Sequence, residues 1–207
     1  MRSSHESERD HDQTKMTRFS NACFYLVYMG KSGLILGNRH DLGILTPAMA
    51  DDLAGFLPPI QKESRQWELV YSTREHGISF KTMMANCAQG PLLLLIRTVK
   101  DAIFGGYLSD GLKIQKGYYG NGTCFLFQRY PDHEPMRVFP ATGKNEYYIL
   151  TEENTFAMGG GSARFGLWFD SELWNGYSEP CDTFASKTLS KQTTFQIESL
   201  EVWRFKL

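Results

Sequence analysis

From Trp67 onward the chain is cut into short β-prone stretches, with turn-forming residues between them at intervals of about ten residues. The stretches are "WELVYST", "PLLLLIRT", "AIFGGYLS", "TCFLFQR", "MRVFPA", "EYYIL", "TFAMG", "RFGLWFD" and "FQIESLEVWRFKL". This rhythm predicts roughly nine strands joined by turns, the pattern of an antiparallel sandwich or barrel rather than of βαβ units. The 14 Phe, 10 Tyr and 4 Trp residues suit it, because aromatic side chains favour the pleated surface of a sheet. The apolar run within Pro91–Thr98 reads as a buried strand.

Helices interrupt the rhythm. In "ILTPAMADDLAGFLPP", Thr46 is suited to cap a helix and Pro47 to fill its first position, where a missing N–H costs nothing. Asp51 and Asp52 lie in its early turns. Met49, Leu53 and Phe56 or Leu57 recur at helical spacing, and Pro58–Pro59 stops the helix. It is expected to pack on the domain. A second helix begins near Ser79, with Phe80, Met83 and Met84 facing inward. Upstream, Cys23–Met29 predicts a strand, and Leu34–Leu36 can return as a hairpin across the turn at Gly30–Gly33. The first residues, "MRSSHESERDHDQTKMT", are polar and aperiodic and are expected to be disordered, with His5 and His11 as plain tail residues. The chain divides into a disordered tail over 1–21, a strand and helix extension over 22–61 that packs on the domain, and a β domain over 62–207.

Composition narrows the function. Lys and Arg number 22 against 23 Asp and Glu, a net charge of −1, whereas a nucleic-acid-binding domain is usually basic. The four cysteines, Cys23, Cys87, Cys124 and Cys181, form no C-x-x-C pair, so no zinc site is expected. No apolar stretch marks the first 22 residues as a signal peptide, and no run is long enough to span a bilayer. The expectation is a cytoplasmic monomer with reduced thiols, no cofactor and no membrane insertion.

"FAMGGGSARFGLWFDSELWNG" poses a sharper question. A phosphate cradle needs G-x-x-x-x-G-K-[ST] at the start of a helix. Here Ser162, Ala163 and Arg164 follow the glycines, and the next residues continue a strand. A dinucleotide fingerprint fails because no helix follows. Gly159, Gly160 and Gly161 are therefore expected to turn a corner between strands, where positive φ and close backbone approach are needed.

These blocks carry a resemblance. "WELVYSTREHGISFKT" at Trp67–Thr82, then "PLLLLI", "IFGGYLS" and "GYYGNGTCFLF", then "FAMGGGSARFGLWFDSELWNGYSEPCDTFASKTLS" and "FQIESLEVWRF" resemble, in order, the TLDc domain of the oxidation-resistance protein family. The resemblance runs from Trp67 to Phe205. It implies a mostly β fold with flanking helices, a two-sheet antiparallel β-sandwich. It implies protection from oxidative stress and binding to the vacuolar-type proton pump, at its catalytic sector and peripheral stalk, to control assembly or activity. It implies no established catalytic chemistry. Three positions depart from the family pattern: Thr123 stands where Glu is usual, Phe156 where Leu is usual, and Ala185–Ser186 where a polar or glycine pair is usual. The last strand runs nearly to Leu207, which implies docking without a C-terminal tail.

Several individual residues carry candidate chemistry. Asp170 and Glu172 flank Ser171 and could act as an acid and base pair or hold a metal, though no sequence-near His completes a ligand set, or could cap a turn. His76, in "EHGIS", could serve as a base, yet a Ser and a His alone make no triad; a hydrogen-bonded turn is the expected role. Cys181, in "SEPCDTF", could be a reactive thiol, although Asp182 beside it opposes ionisation. An antioxidant enzyme centred on Cys181 or Asp170 is thus the alternative to a non-catalytic binding module. Trp67, Trp168 and Trp203 are expected in the core and Trp174 at the surface as an interface anchor. The remaining family-motif residues, which the resemblance marks as interface or framework positions, are Gly77, Gly176, Thr183, Phe184 and Glu201.

Overall fold

The computed structural model describes residues 14–18, 24–29, 33–39, 43–129 and 135–207. Among the described residues the strands are β1 (Thr14–Arg18), β2 (Phe24–Met29), β3 (Ile35–Arg39), β4 (Gln66–Ser72), β5 (Leu92–Thr98), β6 (Ile103–Leu108), β7 (Phe125–Arg129), β8 (Arg137–Pro140), β9 (Ile149–Glu152), β10 (Thr155–Met158), β11 (Leu167–Asp170), β12 (Asn175–Tyr177) and β13 (Thr194–Lys206). The helices are α1 (Pro47–Ala54), α2 (Pro59–Lys62), α3 (Thr73–His76) and α4 (Phe80–Asn86). The fold is mostly β, with a large open sheet arrangement that is antiparallel except for the β3–β4 pair.

The long final strand organises the whole. The first part of β13, Thr194–Gln196, pairs with β12, which continues the order β12-β11-β10-β9. A register shift between Ile197 and Ser199 follows, and from there β13 pairs with β5 on one side and β4 on the other. One strand therefore serves two sheets: a first sheet ordered β1-β2-β3-β4-β13-β5-β6-β7-β8 and a second, smaller one ending at β9. Bulges bend a strand and increase its twist, which lets a single strand pass from one layer to the next.

Side-chain alternation along the first sheet builds two cores. Leu92, Leu94 and Ile96 of β5 pack with Phe156, Met158, Leu167 and Phe169 of the second sheet and with Phe80 and Met83 of α4. Leu93 and Leu95 point the other way, against Trp67, Trp203, Tyr107 and the apolar face of α1. The central sheet is thus covered on both faces, so β5 is apolar at consecutive positions instead of alternating.

α1 forms as its sequence suggests. Thr46 Oγ1 accepts from the Met49 amide at 3.2 Å and Pro47 occupies the first turn. Met49 and Leu53 are buried; of the two later choices Leu57 is buried and Phe56 is exposed. Asp51 and Asp52 stand beyond the first turn, which holds no acid. Ser79 caps α4 by accepting from Thr82 N at 3.2 Å.

Three features depart from the sequence-based expectation. Thr14–Arg18, assigned to a disordered tail, is strand β1; its backbone pairs with β2, so the partner supplies what its polar side chains do not. Residues 1–13 and 19–23, with His5, His11 and Cys23, lie outside the described residues. β12, three residues around a glycine, is too short to read as a strand and exists because β11 and β13 bracket it. Trp168 is half-buried on the outward face of the second sheet rather than in the core.

Candidate functional site

The glycine run leaves β10 at Met158 and forms a tight corner packed against the chain's own loop at residues 181–184. Gly159 has φ 73° and Gly161 φ 126°, and Ser162 and Ala163 follow at 52° and 57°. This left-handed path suits glycine and strains other residues. Against it packs "PCDTF". A Cβ on Gly159 would stand 2.8 Å from Cys181 Sγ and 2.7 Å from the Phe184 ring; one on Gly161 would stand 2.5 Å from the Asp182 carboxylate. Thr183 threads the corner. Its Oγ1 accepts from Gly160 N at 2.8 Å and donates to Asn145 Oδ1 at 2.7 Å, while its own amide donates to Gly160 O at 3.3 Å. The amides of Gly159, Gly160 and Arg164 donate within the protein, to Tyr148 O, Thr183 Oγ1 and Gly161 O, so they form no open cradle for an anion.

Cys181 is 6% exposed at this corner, and its Sγ lies 3.4 Å from Ser186 Oγ. A cleft of about 350 Å³ opens beside it, with Lys144, Arg164, Asp182 and Ser186 among its walls. Arg164 is shared with Glu179 at 3.9 Å. The other described thiols are deep. Burial pushes Cys87 up to about 12, against the opposing charge of Arg204. Burial also raises Cys124, which the surrounding hydrogen bonds from Ser109 and Asn121 partly offset.

The acidic pair falls in the β11–β12 turn, where its members do different things. Asp170 Oδ1 accepts from the amides of Trp174 at 3.1 Å and Asn175 at 3.3 Å, and Oδ2 accepts from Asn175 Nδ2 at 3.0 Å. Its carbonyl takes the amide of Leu173, a buried residue held at φ 52°. Asp170 therefore locks the turn, while Glu172 points to solvent. Trp174 is 45% exposed, and Gly176 lies over Phe195, where a Cβ would come within 2.4 Å of the ring.

Glu201 is a buried carboxylate on β13. Oε1 accepts from Ile44 N at 2.7 Å; Oε2 accepts from Leu45 N at 3.1 Å and from Trp203 Nε1 at 3.0 Å. It ties the segment before α1 to the central sheet. Trp203 and Trp67 are fully buried beside it, and Trp67 meets Phe205 edge-on at 5.0 Å.

His76 closes α3. Its Nδ1 accepts from Ser72 N at 3.0 Å and its ring stacks on Tyr71 at 5.8 Å. The Tyr71 hydroxyl donates to the carbonyl of Gly77, which has φ 76°, and accepts from Ser79 N. Ser79 Oγ is engaged with Thr82 N and Oγ1 rather than with the imidazole. Thr123, in the family's Glu position, folds back on Asn121 Oδ1 through both its amide and its hydroxyl.

The motif residues thus gather in four separate places: the glycine corner, the Asp170 turn, the Glu201 clamp and the His76 turn. Among the described residues no three His, Cys, Asp or Glu side chains come together as a metal site. Sequence reasoning missed Asn145 and Thr142, which brace the glycine corner from the loop before β9. Nothing local marks them, because their partners lie about forty residues away.

These features define a class: a two-layer β domain whose glycine corner and acidic turns are closed by its own loops. The chain belongs to the TLDc domain family, whose model matches residues 38–206. Residues 38–61, read from sequence as an extension, therefore fall inside the matched domain. Over 165 residues, 79% of the chain, it is 38% identical to oxidation resistance protein 1 of Bos taurus. It is 37% identical over 191 residues, 91% of the chain, to nuclear receptor coactivator 7 of Gallus gallus, and 40% identical over 149 residues, 71% of the chain, to the human protein of that name. The chain spans about one fifth of the length of these curated relatives, with 18%, 21% and 16% of each covered. No helix among the described residues is long and apolar enough to cross a membrane.

Proposed function

We propose that this chain is a non-catalytic binding module that docks on the vacuolar-type proton pump and adjusts its assembly or activity, within a family whose relatives are named for oxidation resistance. One observation supports the reading above others: Asp170, Glu201 and Thr183 of the family motif spend their polar groups inside the protein, mostly on its backbone. Asp170 accepts from three donors of its turn, Glu201 from three donors of the α1 clamp, and Thr183 from Gly160. Groups so engaged stabilise a rigid shape; they leave little to offer a reacting atom. A rigid domain acts on a rotary complex by differential affinity, since a ligand that binds one state better shifts the population toward it. The thiol reading is the weaker one, because Cys181 is nearly enclosed and hydrogen-bonded to Ser186.

The test is co-sedimentation of the purified chain with purified vacuolar proton pump, with ATP hydrolysis read in the same tube. Binding with a changed rate, or with release of the catalytic sector, is the expected result. No binding at micromolar protein would overturn the reading. Peroxide loss above a protein-free blank, removed by Cys181→Ala, would favour the enzyme instead.

A further inference from the structure

At the seam of the two sheets lies an open groove of about 480 Å³, between the β5–β6 turn, β12 and residues 190–196. This is within the size range of sites that take a ligand side chain or small molecule. None of the motif roles above uses it, Gly176 apart.

The groove is built rather than incidental. Trp168 and Tyr177 are cross-strand neighbours on the outward face of the second sheet, stacked at 4.9 Å. Phe195 lies under the bare backbone of Gly176 and meets Phe104 of the core edge-on at 4.9 Å. On the opposite wall the Val99 amide donates to Gln196 O at 3.0 Å, which fixes the turn while the Val99 side chain remains 56% exposed. An exposed apolar side chain on a locked backbone thus shares the groove with aromatic rings.

Charge is one-sided. Among the described residues, the charged ones lining the groove are Lys100 and Lys191. Lys100 Nζ donates to the neutral Gln192 Oε1 at 2.6 Å, and neither lysine meets a carboxylate among the described residues. Three nearby acids have arginine partners outside the groove: Asp101 with Arg97 at 3.8 Å, Glu198 with Arg74 at 3.9 Å, and Glu179, whose charge acts on Tyr177, with Arg164 at 3.9 Å. Of the lining amides, Asn175 Nδ2 already donates to Asp170 and Gln192 Oε1 accepts from Lys100. The remaining capacity of these two and the Gln196 side chain supply the donors and acceptors a peptide main chain requires.

We propose that this groove docks an acidic peptide segment of a partner protein, with one aromatic or branched apolar side chain seated between Val99 and Tyr177 and flanking carboxylates toward Lys100 and Lys191. Buried aromatic anchors supply most of the affinity in such contacts, and the charges select the partner and speed the encounter. The inference does not depend on which assembly carries the segment, so it stands apart from the proton-pump reading.

The test uses the full chain and two synthetic seven-residue peptide pools. Both carry Trp, Phe or Leu at the centre; the first has Glu and Asp at the flanks, the second Gln and Asn. Binding is read by fluorescence anisotropy and by amide chemical shifts. The acidic pool is expected to bind, to shift resonances of residues 98–102, 175–177 and 190–196, and to weaken as salt rises. Lys100→Glu with Lys191→Glu is expected to lower affinity about tenfold or more. Both sites are exposed, and the Lys→Gln pair serves if charge reversal disturbs folding. Equal binding of the two pools, shifts outside the groove, or affinity untouched by the lysine changes would each overturn the proposal. So would preferential binding of a free aromatic carboxylate, which would make the groove a small-molecule site.

Discussion

Gly159 and Gly143 have nearly the same backbone, φ 73° and 76°, and opposite surroundings. A Cβ on Gly143 meets nothing within 4 Å, whereas one on Gly159 meets Cys181 and Phe184 under 3 Å. The pair separates two costs that usually arrive together. Gly143→Ala is expected to lose about 1 kcal/mol, the left-handed strain alone. Gly159→Ala adds overpacking and is expected to lose about 2 to 4 kcal/mol, read as a difference in urea midpoints. Equal losses would mean that the corner yields and that the fit of "PCDTF" is not tight. Asp170 gives a second test at this scale. Asp170→Ala removes the acceptor of three donors, for a loss of about 1 to 3 kcal/mol in the same measurement. Asp170→Asn keeps one acceptor oxygen and is expected to fall between. A variant at full stability that had lost function would restore a chemical role to this carboxylate.

α1 and its leading segment are held by packing on one face and by one side chain. Glu201→Ala removes the buried carboxylate that accepts from the Ile44 and Leu45 amides and the Trp203 indole. The expected loss is about 3 kcal/mol, since hydrogen bonds to a charged acceptor are lost in a buried place. The loss is also expected to be local. By hydrogen exchange, Ile44 and Leu45 should lose protection before the amides of β5, because the element they anchor opens first. This contact shows what a sequence can carry. The Thr46 cap and the strand rhythm from Trp67 are local patterns, set by residues within a turn or two of one another, and both were legible. The unbroken run in β5 was legible as burial; its cause, a sheet covered on both faces, needed the second layer. Glu201 stood out as a family position, yet its partners are 156 and 157 residues away, beyond any local pattern. The choice between Phe56 and Leu57 depended on where α1 stops. Trp168 was misplaced because an aromatic in a strand fits either face, and only the register with Tyr177 decides. The groove joins three distant segments and left no mark in any one of them.

The three layers of the molecule meet at one central sheet, so its opening should expose both cores together. Cys87 reports on this. It follows α4 in the core between the sheets, fully buried, with its thiol pushed up to about 12. At pH 8 a thiol of that acidity is ionised at a level on the order of 10⁻⁴, and attack by a reagent needs the thiolate. Cys87 and Cys124 are therefore expected to react with a thiol reagent only as fast as the domain opens, while Cys181, beside its cleft, reacts sooner. The same burial sets a pH dependence. The folded state holds the Cys87 proton more tightly than the unfolded chain, whose thiol ionises near 9.0. The stability it contributes is complete below pH 9 and is lost as pH rises from 9 toward 12. Tyr71, Tyr107 and Tyr119, raised by burial from 10.0, act with the same sign at higher pH. Unfolding free energy measured in urea at pH 8, 9, 10 and 11 should thus fall with a steepening slope. Cys87→Ala lowers stability throughout by leaving a small cavity, but it removes one titrating group. Its slope between pH 9 and 11 should be shallower than that of the parent by up to about 1.4 kcal/mol per pH unit, the value of one proton. Parallel slopes would show that Cys87 is already accessible to water in the folded protein, and that the two sheets part without global unfolding.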